Sequence, residues 1–451
     1  MKKFLVSAGL AAIGVGTLHA ATYAPDVTAM DAGKIWSLSG TLRGFYDDNY
    51  TTGNGSSKRS SLGFEFSPAL SLIVPLQQTE IGLRYTYGLY YYQDRQNEGT
   101  DPVDQTHEAD LWIDHAFTER LEGKVQDTFV IAQDPQLNAT PTSLPYREEG
   151  NNINNNGVVS LHAELTMLFS TDVGYQNNYV AFQNHGATEA DILAKGELGP
   201  GGIVGTGNGA SLAGYLNEDA HLIYANLNYE YSPSLSFLVG YQFGLNQYTG
   251  GEPIGVNPFN NSEFYYSDSL NSYSHYLYVG GQYAVNQSLS ATLQVGFQYT
   301  ANNNLPSFDD QLQNSFSPYA QAAATYTYLP GSYVQIGLTQ SQNSSDTPAV
   351  NSSNGSLTLY EESTVVYGSI NHQITPDLVG SAIAHWQYST YHGGANDGGS
   401  QSLYDLGLNL SYTINPHLSA EVGYNWDYLQ GGQLLSSYHR NREYIGITAT
   451  Y

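Results

Sequence analysis

The sequence predicts an all-β fold: a transmembrane antiparallel up-and-down β-barrel of about 18 strands, with no plug domain. Three observations predict it. Apolar and polar residues alternate with a period of two, short turns alternate with long polar loops, and aromatic residues crowd the ends of the predicted strands. Because strand boundaries inferred from sequence are imprecise by a few residues, about 16 or 20 strands are the alternatives.

The period of two is clearest in three segments, 289–299, 403–414 and 418–428. In the second of these, Leu406, Leu408 and Leu410 fall on one face, and Gly407 and Asn409 fall on the other. Successive side chains of a strand point to opposite faces, so each segment has one apolar and one polar face. Lipid offers no hydrogen-bond partner, and a sheet that spans a membrane must therefore close on itself.

The connections between the predicted strands alternate in length. Eight short turns and nine longer polar stretches make seventeen connections, and therefore eighteen strands. This pattern places all short turns and both chain ends at one rim, as in outer-membrane barrels. The short turns are 75–78, 118–121, 169–172, 232–234, 286–287, 329–332, 375–377 and 415–417, and the loops are 48–59, 94–105, 133–156, 185–218, 249–271, 301–315, 343–357, 392–400 and 431–437.

A soluble β-sandwich also alternates, but its apolar face packs on a second sheet and favours Val, Ile and Leu. Here aromatic residues cluster near strand ends, as in Leu89–Tyr92 and Tyr424–Tyr428. Aromatic residues at strand ends suit the two membrane–water interfaces. The sequence therefore favours the membrane barrel over a sandwich or a propeller.

The composition supports strands joined by polar loops. The chain has 39 Tyr, 15 Phe and 47 Gly, but only 14 Lys plus Arg against 41 Asp plus Glu, and it has no Cys. Its formal net charge of -27 argues against nucleic acid as a partner. Without Cys, neither disulfides nor thiolate metal sites contribute to folding.

The N-terminal residues predict export. Lys2 and Lys3 precede thirteen apolar residues, Phe4 to Gly16, and Ala20 offers a small residue for cleavage. We expect a signal peptide at 1–20 with cleavage near Ala20, a short periplasmic leader at 21–33, and an outer-membrane barrel at 34–451. The short leader leaves no room for a plug domain, so energy-coupled uptake of large chelates is not expected. The expected location is the bacterial cell outer membrane.

Charged residues on the polar face of the strands would line a water-filled lumen. Those near the closing seam predict a charged patch formed by Asp405, Asp427, Arg440, Arg442 and Arg43. One interpretation is an eyelet that selects solutes by charge, and the other is a set of salt bridges that stiffens the wall. The candidate eyelet residues are Arg43, Arg84, Asp405, Glu421, Asp427, Arg440 and Arg442, and the remaining inward charges are Glu65, Asp110, Asp114, Lys124, Glu164 and Glu230.

Loop 133–156 is long enough to fold into the lumen, and it equally suits an exposed surface loop.

Asp47-Asp48-Asn49 and Asp309-Asp310 lack the spacing of a dedicated Ca²⁺ loop, so we interpret both as solvated turns and expect no metal and no cofactor. No nucleophile-elbow motif or metal-type His spacing accompanies the histidines, among them His115, His385 and His439. An enzyme is therefore not expected.

The C-terminal segment Gly446-Ile447-Thr448-Ala449-Thr450-Tyr451 resembles the C-terminal signal of bacterial outer-membrane proteins. The resemblance implies that Gly446, Ala449 and Tyr451 are read by the barrel-assembly machinery. The mature chain, which opens with SLSGTLRGFYDDN and has turns such as SPSL, TPDL and NPHL, resembles the putative beta-barrel porin 2 family.

The expected function is a porin-like channel for passive diffusion of small hydrophilic solutes, with a preference for cations or neutral sugars. Two alternatives remain open at this point: a barrel for export or secretion of a polysaccharide, and a non-conducting surface protein of the outer membrane. The expected partners are outer-membrane lipid, the barrel-assembly machinery and small hydrophilic solutes.

Overall fold

The computed structural model describes residues 35–98, 101–132, 151–183, 188–190, 214, 216–309, 311, 313–431 and 437–451. The predicted signal peptide at 1–20 and leader at 21–33 lie outside this part of the chain, as do residues 133–150 of the long loop at 133–156 and most of the loop at 185–218.

Twenty strands make up almost all of the described secondary structure. They are β1 Trp36–Asp47, β2 Ser61–Pro75, β3 Thr79–Tyr92, β4 Val103–Thr118, β5 Leu121–Ala132, β6 Asn152–Glu164, β7 Phe169–Phe182, β8 Glu218–Ser232, β9 Leu235–Tyr248, β10 Pro253–Asn257, β11 Asn260–Tyr266, β12 Ser272–Ala284, β13 Leu289–Asn302, β14 Asn314–Leu329, β15 Ser332–Ser344, β16 Thr358–Thr375, β17 Leu378–Gly393, β18 Ser400–Asn415, β19 Leu418–Gly431 and β20 Tyr438–Thr450.

Eighteen of these strands form one closed antiparallel sheet, and β10 and β11 form a separate hairpin. Strand β1 pairs with β2 on one side and with β20 on the other, which closes the barrel. Backbone hydrogen bonds in both directions between Leu38 and Tyr451 finish this seam, at 2.8 and 3.1 Å. The prediction of an all-β barrel of about 18 strands is confirmed.

The turn pattern is also confirmed, with eight short turns at one rim and nine longer connections at the other. The short turn predicted at 169–172 was misplaced, because these residues begin β7 and the turn occupies 165–168. At the tightest turns only two residues separate the strands, as at Pro330 and Gly331. Gly331 has a φ of 72°, in the left-handed region that favours glycine. Both ends of the barrel chain, Trp36 and Thr450, lie at the short-turn rim.

The outer face of the barrel is apolar and exposed. Leu42, Val239, Leu293 and Ile447 are each about half exposed, and each alternates with an inward-facing residue along its strand. An apolar face of this kind is stable only against lipid or another apolar surface. Within the described residues, no helix is long and apolar enough to cross a membrane.

One predicted polar loop, 249–271, contains regular secondary structure. This loop contains the β10–β11 hairpin, whose apolar residues pack with those of the β15–β16 connection. We call this group the loop cluster; its buried members are Tyr248, Ile254, Tyr265, Leu270, Val350, Leu357 and Leu359. The expectation of a continuous polar loop was wrong here because Ile254, Val256 and Phe264 are buried, and Ile254 belongs to one apolar cluster with Val350 and Leu357 of another loop.

Two further local predictions were wrong. Residues 152–156, placed at the end of a long loop, belong to β6, where the Asn155 side chain donates a 3.0 Å hydrogen bond to Asp127. Asp47 and Asp309, interpreted as parts of solvated turns, are buried. Each is stabilised by a partner distant in sequence, Arg442 for Asp47 and the Tyr265 hydroxyl for Asp309.

Candidate functional site in the barrel lumen

The inner wall at the closing seam is held by ion pairs between neighbouring strands. Arg43 on β1 contacts two carboxylates, with its Nη1 3.0 Å from Glu65 Oε1 on β2 and its Nε 2.5 Å from Glu421 Oε1 on β19. The second contact crosses β20, where Gly446 lies opposite both residues in the strand register. The glycine leaves room for the arginine stem, because a Cβ there would lie 2.7 Å from Arg43 Cγ.

A second pair joins the first and last strands directly. Arg442 on β20 lies opposite Asp47 on β1, and its Nε and Nη2 donate to Asp47 Oδ2 at 3.0 and 2.7 Å. Arg442 is 1% exposed and Asp47 is 0% exposed. The guanidinium also donates to the Tyr92 hydroxyl and lies over the Phe45 ring. Such a buried and fully engaged pair acts as a structural contact rather than as a free lumen charge.

The other residues of the predicted patch form separate pairs. Arg440 Nη2 lies 2.5 Å from Asp427 Oδ2 on β19. Asp405 faces Asp427 across the β18–β19 register, but its Oδ2 lies 2.9 Å from His385 Nδ1 on β17. The structure thus places all five residues on adjacent strands and divides them among different partners, an arrangement that favours the salt-bridge interpretation over a shared charged eyelet.

Arg84 stands apart from this seam. It lies on β3 opposite Asp110 of β4, its side chain is exposed to the lumen, and it makes no ion pair within the part of the chain that the structure describes. On the next strands, Lys124 Nζ and Asp114 Oδ1 are 3.7 Å apart, with both side chains 45% exposed. Loosely paired, hydrated charges of this kind remain available to a passing solute.

The opposite side of the wall, from β7 to β15, presents mainly amides and hydroxyls. They surround a cavity of about 200 Å³. Its polar lining includes Gln176, Asn178, Glu218, Asn246, Ser274, Tyr276, Gln298, Thr300, Gln342, Asn343 and Ser344, and we call it the amide pocket. The sequence interpretation missed these residues because it followed charges. The available signal was the recurrence of Asn and Gln on the inward face of several strands.

The amide pocket exists because the outer end of β15 bends into the lumen. Pairing between β14 and β15 stops at Ala320 and Gln340, although β14 begins at Asn314. Beyond that point the backbone of Gln342 exchanges two hydrogen bonds with the Gln298 side chain of β13, at 2.9 and 3.0 Å. Strand β15 therefore crosses the inner face of β14, and the lumen narrows beneath the loop cluster.

The three residues of the predicted assembly signal lie at the seam. Gly446 lies under Arg43, Ala449 is on the exposed outer face of β20, and the Tyr451 ring packs 5.6 Å from that of Trp36. Tyr451 is 67% exposed, at the short-turn rim. The geometry gives the terminal segment a role in closing the barrel, and its recognition by the assembly machinery stays a prediction.

The described residues contain no group of three or more His, Cys, Asp or Glu that could hold a metal ion. His115 Nδ1 lies 2.8 Å from Thr79 Oγ1, and His439 Nε2 lies 3.1 Å from Lys58 Nζ. His385 contacts Asp405, and no hydroxyl completes a triad with it in the described part of the chain. The described geometry offers no arrangement typical of nucleophilic catalysis.

Comparisons with known proteins agree with the sequence resemblance over part of the chain. Residues 266–451 match the family described as Putative beta-barrel porin 2, and this span does not include the opening segment at 37–49. No curated protein matches the sequence.

The chain is also similar to solved structures, among them that of the outer membrane protein OpdK. OpdK from Pseudomonas aeruginosa is 11% identical with a TM-score of 0.41, covering 92% of this chain and 99% of that chain. OccAB4 from Acinetobacter baumannii is 11% identical with a TM-score of 0.43, covering 93% and 99%. OccAB2 from the same organism is 14% identical with a TM-score of 0.41, covering 92% and 98%.

Proposed function

We propose that this chain, a closed 18-strand barrel whose residues 266–451 match the putative beta-barrel porin 2 family, is an outer-membrane channel for passive diffusion of small hydrophilic solutes. One observation carries the proposal: the inner wall bears exposed charged side chains, among them Arg84, Asp114 and Lys124, while the outer wall bears exposed apolar ones. Charges stay exposed inside a barrel only where water fills it.

The same proposal includes export by a cleaved signal peptide. It also includes insertion of the terminal strand by the barrel-assembly machinery. The exposed outer belt supports a lipid environment, and the resemblance of the last six residues to an outer-membrane signal supports the route. The large excess of acidic residues favours cations over anions near the mouths of the channel. The amide pocket, in which amides and hydroxyls predominate, favours uncharged polar solutes within it.

Ion current through the refolded protein in a planar lipid bilayer under a salt gradient tests the proposal. We expect discrete conductance steps and a reversal potential displaced toward cation selectivity. A heat-denatured preparation is the control for detergent leakage. If a folded, heat-modifiable barrel shows no conductance, the channel function is contradicted and the non-conducting surface protein is favoured.

A further inference from the structure

The amide pocket is a recess in the lumen wall that stays partly open to the lumen. Its walls are β7, β8, β9, β12 and β13 on one side, and the inward-bent outer end of β15 with the first residues of β16 on the other. The Asn246 side chain of β9 reaches Ser344 of β15 across it, with Nδ2 3.4 Å from Oγ. The volume of 200 Å³ equals that of about seven liquid water molecules, on the scale of one sugar ring.

The lining can hydrogen-bond in many directions while carrying little charge. Among the described residues that line it there is neither Lys nor Arg, and Glu218 is its one carboxylate. Asn246 Nδ2 donates a 3.1 Å hydrogen bond to Glu218 Oε2, which fixes the carboxylate beside the amide. The side chains of Tyr248, Tyr276 and Tyr360 also border the cavity and supply apolar surface.

Several buried polar atoms of this lining lack a partner. Asn178 Oδ1 and Asn246 Oδ1 are acceptors and Asn343 Nδ2 is a donor, and none of the three has a hydrogen-bond partner within the described structure. A buried donor or acceptor that stays unpaired is unfavourable, so a ligand that pairs with it gains affinity. A hydroxyl group satisfies either kind because it both donates and accepts, and it also fits either orientation of an amide.

We propose that the amide pocket binds a neutral polyhydroxylated solute of monosaccharide size on its way through the channel. Hydroxyls of the solute bond to the unpartnered amides and to Glu218, and the tyrosine side chains pack against its C–H surface. An anionic solute meets the Glu218 carboxylate, and the described lining holds neither Lys nor Arg to offset it. The inference rests on the proposed channel function and names one class of solute for it.

Two measurements with glucose test the proposal. The first is the ion current of the open channel as glucose is added, with glycerol added to the same viscosity as the control solute. We expect a saturable decrease in current with glucose alone. The second is calorimetric titration of the detergent-refolded barrel with glucose, which does not require an open channel.

Asn246→Ala and Asn178→Ala should each weaken glucose binding about tenfold, the effect of one lost hydrogen bond. Gln335→Ala is the matched control. Gln335 is also an amide on the inner face of β15, but it lies nearer the short-turn rim and does not line the pocket. Heat-modifiable migration in gels checks that each variant is folded.

The outcomes separate the two proposals. The binding proposal is wrong if the channel conducts but calorimetry detects no glucose binding. It is also wrong if Asn246→Ala and Asn178→Ala leave glucose binding unchanged. In both cases the proposed channel function stands. If the folded barrel binds glucose in solution but gives no conductance, the proposed channel function is wrong instead. Dextran tests whether the pocket binds a free sugar or a polysaccharide chain. Blockage of the current by glucose but not by dextran supports a free sugar. Blockage by dextran alone would show that the occupant is a polysaccharide chain.

Discussion

Arg43 and Glu421 form an ion pair at 2.5 Å although a whole strand, β20, lies between them. The pair spans the position at which the last strand meets the first, so it joins β1 to β19 over the closing strand. Gly446 makes this possible, since any side chain there would occupy the path of the Arg43 stem. The glycine of the terminal segment therefore has a structural role in the closed barrel.

Gly446→Ala should weaken closure of the barrel. The added Cβ would lie 2.7 Å from Arg43 Cγ and 3.0 Å from Glu421 Oε1, so the ion pair must move or break. We expect a lower temperature for the loss of heat-modifiable migration in gels. Gly44→Ala is the control, because nothing lies within 4 Å of a Cβ on that neighbouring-strand glycine. Equal thermal behaviour of the two variants would contradict the role assigned to Gly446.

Arg442→Gln and Arg84→Gln should change different properties, the first the stability of the barrel and the second its ion selectivity. The first leaves Asp47 buried without its cation, which costs about 3–5 kcal/mol of barrel stability. The second removes an exposed lumen charge, so the reversal potential in bilayers shifts toward cations and thermal stability stays nearly unchanged. A shift in reversal potential with Arg442→Gln at full stability would restore the eyelet interpretation for the seam.

Deletion of Tyr451 should lower the yield of folded barrel in the membrane. The deletion removes the 5.6 Å ring contact with Trp36 and the backbone hydrogen bonds to Leu38 at the closing seam. Tyr451→Phe is the matched control because it keeps the aromatic ring. The yield of heat-modifiable protein in membrane fractions measures the effect, and wild-type yield in the deletion variant would show that neither closure nor recognition needs the terminal ring.

The period of two and the turn lengths were enough to predict the barrel and its strand number, because both follow from local chain geometry. The contacts of Arg43 were not predictable in the same way. Sequence placed it at the seam, but its pairing with Glu421 depends on the register of three strands and on an absent side chain at Gly446. The partner of Asp47 was missed for the same reason, since Arg442 becomes its neighbour only when the barrel closes.

The loop cluster was missed for a different reason. The short apolar alternations around Ile254 and Phe264 flank a turn and were a usable hairpin signal. Their burial, however, comes from other loops, such as the one that carries Leu357. Sequence separation between such loops gives no information about which of them meet above the lumen.

Tyr265→Phe should loosen the loop cluster and raise single-channel conductance. The Tyr265 hydroxyl oxygen lies 2.7 Å from Asp309 Oδ2 and 2.5 Å from the Gly355 carbonyl oxygen, so its single hydrogen is shared between two acceptors and links three connections. Its loss removes the link between Asp309 and the Gly355 carbonyl, at a cost of about 1 kcal/mol, while Gln311 and the Leu357 N–H still donate to Asp309. Tyr266→Phe is the control, because that neighbouring hydroxyl is exposed and bonds to Glu189. Identical conductance and current noise in both variants would contradict a constricting role for the cluster.

The β15–β16 connection should become less stable as pH rises. Burial raises the pKa of Asp346 to about 6, and the neighbouring Glu361 carboxylate offers it no counter-charge. A carboxyl with a raised folded pKa has no effect on stability below its unfolded pKa of about 4. Its destabilising effect grows as pH rises from about 4 to 6, and reaches about 3 kcal/mol above that range.

Hydrogen exchange of the amides in 345–357 should therefore show less protection at about pH 7.5 than at about pH 5, after correction for the intrinsic rates. Asp346→Asn removes this carboxyl and its repulsion with Glu361, and should therefore weaken the dependence. The amide keeps an acceptor for the Tyr391 hydroxyl, which donates to Asp346 Oδ1 at 3.2 Å. Asp101→Asn, at an exposed loop acid, is the control and should leave the dependence intact. Protection that is equal at both pH values in the wild-type chain would mean that the buried carboxylate of Asp346 is compensated by a group or ion beyond those described.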